Sequence, residues 1–150
     1  MRKLMLAGLL GVVGCKAFSP AEDGAERFTP PPSYRQAWAE AEACSGRRGS
    51  FDAVTWWVVP DAAAFYLGAD GWADGNYRAG TITLAGDRLA HPMVVRHEML
   101  HALGLKAVKR DGYFEHPAEF TTCKATWASW DASEPMLELT PELRHYLSSE

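Results

Sequence analysis

Apolar residues recur along this chain at several periods, and each period predicts an element. Leu4 to Val13 is an unbroken apolar run of ten residues behind Arg2 and Lys3. Tyr34, Ala37, Trp38, Ala41 and Cys44 recur at helical spacing, which predicts a helix with one apolar face. Ser33 and Gln36 fit a capping box at its start. Ser45-Gly46 fits its end, because glycine takes the left-handed conformation past a helix terminus at little cost. On this reading Cys44 lies on the buried face of the last turn. Phe51 to Val59 is β-branched and aromatic and ends at Pro60, which predicts a strand. Trp56-Trp57-Val58-Val59 is apolar on both faces, so cover on both sides is expected.

Gly68 to Gly80 holds four glycines with Asp70, Asp74 and Asn76, a composition that predicts turns. Thr81 to Ala85 predicts a second short strand. Met93 to Leu103 follows His91-Pro92, with proline suited to a first helical position, and Gly104 stops it. Val94, Val95, Met99, Leu100, Ala102 and Leu103 cover nearly every side, so this helix is expected to be buried. Trp127 and Trp130 read as packing residues or a cleft wall. Met136 to Leu139 alternates like a short strand, with Met136 in the core, and Thr140-Pro141-Glu142 opens a last short helix. The fold class is α+β: a leading helix, a small mixed β-sheet and a buried second helix in one domain, 33–150.

The ten-residue apolar run is too short to span a bilayer, which takes about 20 residues. With its basic start and a small residue at Gly14 it reads as a signal peptide, 1–14. Val12-Val13-Gly14-Cys15 resembles the bacterial lipobox. That resemblance implies cleavage before Cys15, acylation of its sulfur and a lipid-anchored place in the cell envelope, since multiple acyl chains hold a protein stably at a bilayer. Lys16 is not the aspartate that often signals inner-membrane retention, so the outer membrane is favoured. Residues 15–32, with Pro20, Pro30, Pro31 and Pro32 and no apolar period, are expected to be the lipidated cysteine and a flexible tether.

The formal charge is −4 without a basic stripe, which argues against a nucleic-acid partner. The folded part has a single-domain length, and a monomer is expected. Once Cys15 is assigned to lipid, Cys44 and Cys123 remain as a pair in an oxidising compartment, where a disulfide persists. On the chain-entropy model the loop so closed contributes about 4.5 kcal/mol, as an upper figure.

The buried helix carries polar residues that need a reason. His97 and His101 are four apart, so both project from one face, one turn from each other. Two imidazoles so placed reach a single tetrahedral zinc. Glu98 is turned about 100° around the axis and sits beside the metal. There it can act as general base on a metal-activated water. This is the H-E-x-x-H pattern of zinc peptidases.

A catalytic zinc takes a third protein ligand and leaves one position open. His116 is favoured, because imidazole is a good zinc ligand and the stretch from Lys106 to Gly112 is long enough to fold the chain back over the site. Glu119, Glu115, Asp111 or no third ligand at all stay open as alternatives. His91 and His145 read as surface or capping residues, and Arg96 as a salt-bridging residue that organises the helix.

In its extended core, His97-Glu98-Met99-Leu100-His101-Ala102-Leu103-Gly104, the chain resembles the zincin metallopeptidases. It departs from the metzincin branch, which has a third histidine where Ala107 stands. Together, Cys44-Ser45-Gly46, the tryptophan-rich strand ending at Pro60, Val95-Arg96-His97-Glu98-Met99-Leu100-His101, and His116-Pro117 leading to Cys123 resemble short predicted zinc-protease lipoproteins of bacteria. The resemblance implies a zincin-like domain acting on a peptide or protein substrate. By the same resemblance the Gly80 to Ala85 strand borders the cleft, where an extended peptide would add; an ordinary core strand is the equal alternative. Tyr113, His145 and Tyr146 are candidates for an oxyanion donor. The alternative is a non-catalytic envelope-binding lipoprotein that uses the same scaffold around a structural zinc.

Overall fold

The structure is a computed structural model that describes residues 24–148. The expected signal peptide and Cys15 lie outside the described residues. Among the described residues no helix is long and apolar enough to cross a membrane.

Among the described residues the first element is β1 (Glu26–Arg27), which leads into α1 (Pro32–Ser45). The fold therefore starts earlier than Ser33: β1 pairs antiparallel with a central strand, and Phe28 is buried. Residues 24–32 belong to the folded unit rather than to a tether. Helix α1 opens on prolines, with Pro31 at the N-cap and Pro32 in the first turn. Proline loses nothing there, because the first helical N–H groups have no intrahelical acceptor. The expected capping box is accordingly absent. Ser33 Oγ instead donates to the Glu138 carbonyl, 2.7 Å away, and ties the helix to the C-terminal segment.

Tyr34, Ala37, Trp38 and Ala41 are buried as their spacing predicts. Gly46 closes the helix at φ +69°, its N–H donating to the Glu42 carbonyl. Cys44, expected on the buried face, is exposed. By residue 44 the helical step of about 100° has carried the side chain to the flank of the apolar stripe.

A 3₁₀ turn (Phe51–Ala53) occupies the start of the expected first strand, and β2 is Thr55–Val59. Trp56 and Val58 are buried while Trp57 and Val59 are half-covered, so one face is sealed and the other only partly. A small hairpin follows, β3 (Phe65–Tyr66) and β4 (Trp72–Ala73), joined through a 3₁₀ turn at Gly68–Asp70. Then come β5 (Gly75–Arg78) and β6 (Thr81–Ala85).

The main sheet has the order β1-β2-β6-β5, with β2 and β6 parallel and the outer pairs antiparallel. The stretch expected to be turns thus supplies an edge strand. Of the two readings for the β6 strand the interior one holds, and β5 takes the edge.

Helix α2 (Pro92–Ala102) crosses the sheet with Met93, Val94, Val95, Met99 and Leu100 buried. Its core partners are Tyr34, Trp38, Trp56, Ile82 and Leu84. The buried Tyr34 hydroxyl donates to the Leu89 carbonyl at 2.7 Å, so this large ring is buried without an orphan polar atom. An exposed hairpin, β7 (Val108–Arg110) and β8 (Tyr113–Glu115), leads to the short α3 (Ala118–Thr122).

The chain then runs without regular structure to a final 3₁₀ helix, Pro141–Tyr146. Met136–Leu139 is not a strand. Leu137 N–H donates singly to the Ala90 carbonyl, Leu139 is buried and Met136 is exposed. Cys44 and Cys123 form a disulfide with Cα atoms 5.4 Å apart, joining the end of α1 to the buried end of α3.

Candidate metal centre

Helix α2 presents His97 and His101 from successive turns of one face. The chain then reverses in the β7–β8 hairpin. Its turn residues Asp111 and Gly112 both have positive φ, +51° and +86°, the backbone that suits a tight turn between twisted strands. The return places His116 against the helix. One ring nitrogen from each of His97, His101 and His116 lies within 4.8 Å of the others, and all three residues are half-buried. Of the alternatives, Glu115 pairs with Arg110 on the exposed hairpin, Asp111 is at its tip and Glu119 is on α3; none joins the three histidines.

The tautomers follow from the hydrogen bonds. His97 Nδ1 is 2.8 Å from the Ala125 carbonyl, and His101 Nδ1 is 2.8 Å from the Leu105 carbonyl. A carbonyl only accepts, so Nδ1 carries the proton in both rings and the Nε2 lone pair is left for a metal. Burial pushes His97 down to about 4, with the charges of His101 and His116 adding to it against the Ala125 hydrogen bond. Burial also lowers His101 and His116. Neutral imidazoles at working pH are the donor set that zinc requires.

Phe120, on α3, forms the floor. Its ring centroid is 4.8, 4.9 and 4.6 Å from those of His97, His101 and His116. The segment 116–125 therefore supplies a histidine, the aromatic floor and the carbonyl that orients His97. It is fastened by the disulfide at Cys123 and by the buried Arg96, which pairs with Glu134 and donates to the Cys123 carbonyl at 3.0 Å. Arg96 forms a salt bridge, as expected, and its bonds hold this second wall of the site against the helix.

Glu98 points from α2 toward β5 and is 4% exposed. Burial raises its carboxyl to about 8, Asp74 adds to this, and the Tyr77 N–H, donating to it, opposes both. The strand geometry explains that bond. The Asp74 carbonyl accepts from Ala85 N–H, so the alternation of an antiparallel ladder aims Asp74, Asn76 and Arg78 at β6 and turns Gly75 and Tyr77 outward. Gly75 is essential to the approach: a Cβ there would stand 2.8 Å from Glu98 Cγ.

Two compartments meet at Gly75, His97, Glu98 and His116. The larger, about 650 Å³, extends past His101 between β5 and the two hairpins. The smaller, about 330 Å³, is walled by Met93, Val94 and Trp127. Trp127 is thus a cleft wall, and Trp130 packs against the buried His91. None of the expected oxyanion donors lines either compartment. Tyr113 is exposed on β8, His145 is exposed in the last 3₁₀ helix, and Tyr146 Oη donates to Glu26 on the far sheet edge.

The contributions of Gly75, Tyr77, Leu105, Phe120 and Ala125 were missed from sequence. Three of them act through backbone atoms, which carry no side-chain signature.

No protein-family model matches the chain, and neither a curated protein nor a solved structure matches it.

Proposed function

We propose that this protein is a zinc-dependent peptidase of the zincin type, carried on the bacterial cell envelope by lipid on Cys15. The observation that carries the reading is the convergence of the His97, His101 and His116 nitrogens within 4.8 Å, beside a carboxylate that lines both compartments of a cleft. Zinc bound there would supply a Lewis acid for the scissile carbonyl and make a coordinated water acidic. His97 and His101 would hold it through Nε2, with their Nδ1 protons committed to carbonyls. Glu98, oriented by the Tyr77 N–H and by the space at Gly75 and kept ionised by the charge of the zinc beside it, would take the proton of the attacking water and return it to the leaving amine. The outward N–H and C=O of Gly75 and the outward C=O of Tyr77 would align an extended substrate as an added strand.

A structural zinc in a binding module would call for four protein ligands. Among the described residues the group that converges has three, which favours an open position and hence turnover.

The test is metal content and peptide cleavage by the wild type, His116→Ala and Glu98→Gln. The expected result is about one zinc per chain in the wild type and weak retention in His116→Ala. Glu98→Gln keeps its zinc and loses cleavage by roughly 10²-fold or more. Wild-type rates in Glu98→Gln would remove the mechanism, and failure of the wild type to take up zinc would remove the whole reading.

A further inference from the structure

Two hairpins that line the larger compartment are tied to each other by an ion pair. The 3₁₀ turn between β3 and β4 carries Asp70, and β7 carries Lys109. Their side chains meet at 2.8 Å, joining the hairpin that precedes the edge strand to the hairpin that follows the helix. Asp70 lines the compartment, as do Trp72 and Phe114 from the same two hairpins. Lys109 Nζ also lies 5.1 Å from the Phe114 ring centroid, which steadies it over that wall. Trp72 is 73% exposed and Phe114 46%, an aromatic rim open to a ligand.

From this bridge, and resting on the peptidase reading above, we infer that the substrate class is short peptides and free chain ends, threaded beneath the Asp70–Lys109 strap. A cleft that is open along its length accepts an internal segment of a folded protein laid in from the side. A cleft crossed by a strap accepts a chain that has an end to pass under it; any other chain must first part the strap. The edge strand fits such a short engagement, since only Gly75 and Tyr77 face outward and the Tyr77 N–H is already given to Glu98. The strap is an exposed ion pair, 44% and 52% open to solvent at its two side chains. It is weak enough to part occasionally, so the selection is graded in the native protein and becomes absolute only when the strap is locked.

The experiment compares one peptide sequence in linear and in head-to-tail cyclic form, with zinc-loaded full-length protein. Linear peptide is expected to be cleaved faster. Asp70→Ala is expected to narrow the linear-to-cyclic ratio by up to about fivefold, what loss of an exposed ion pair can give. A protein carrying Asp70→Cys and Lys109→Cys, joined by a short bismaleimide, is expected to cleave the linear form and not the cyclic one. Cleavage of both forms by the locked protein, loss of linear cleavage with zinc retained, or an unchanged ratio in Asp70→Ala would each overturn the inference while leaving a peptidase. If the zinc-loaded wild type cleaves neither form, the peptidase reading itself is lost, and this inference with it.

Discussion

The Glu98 carboxylate fills the space that a side chain at Gly75 would take. A Cβ built on Gly75 would stand 2.8 Å from Glu98 Cγ and 2.9 Å from Oε1. The two residues come from different elements, one from the sheet edge and one from the buried helix. Their approach sets where the carboxylate sits in the cleft. Gly75→Ala is therefore expected to push Glu98 aside and to slow peptide cleavage by on the order of 10²-fold, as misplacing a reacting group by about 1 Å does. Zinc content should stay that of the wild type, because the three atoms nearest that Cβ all belong to Glu98. Measured turnover within twofold of wild type would show that Glu98 is not held by this strand.

The disulfide is expected to support the metal as well as the fold. Cys123 lies in the same short stretch as His116, Phe120 and Ala125, so freeing it loosens the third histidine, the floor and the His97 hydrogen-bond partner together. Cys44→Ser combined with Cys123→Ser should cost about 2–5 kcal/mol of stability. It should also weaken zinc binding by roughly tenfold or more, the scale of losing second-shell support. Competition with a chromophoric chelator reads the second effect directly. Equal zinc affinity in the two proteins would confine the bridge to a stabilising role.

Acid sensitivity is expected to trace in part to His91. This residue is buried against Trp127 and Trp130, and burial lowers its pKa, helped by the charge of Arg88 and opposed by Asp74 and Glu134. As pH falls below about 6.5 the unfolded chain takes up a proton at this position. The folded chain resists doing so until its lower pKa is reached. Over that window the unfolded state binds more protons, so stability falls with falling pH. His91→Phe should gain stability relative to the wild type as pH drops from 7 to 5, with the difference changing by up to one proton's worth of slope. Parallel melting-temperature profiles of the two proteins would refute this.

Local sequence was enough for the elements whose cause is local. Helix α2 and the shared face of His97 and His101 follow from the 3.6-residue period, and Gly46 ends α1 where the pattern stops. The β2 and β6 strands follow from β-branched and aromatic runs, and the Cys44–Cys123 pairing from the residues left after Cys15.

Tertiary structure decided the rest, because those features depend on partners distant in the chain. Gly75–Arg78 is a strand only because β6 offers it a ladder; its glycines and acids alone read as turn. Ser33 was taken from its capping role because prolines had filled the first turn and the Glu138 carbonyl lay within reach. His116 reaches the histidines of α2 only through the reversal of an intervening hairpin, which no period encodes. The groups that orient the site, the carbonyls of Leu105 and Ala125 and the N–H of Tyr77, are backbone atoms that every sequence possesses. Residue identity supplied the chemistry of the ligands, and the packing of α2 between the sheet edge and the 116–125 segment supplied their aim.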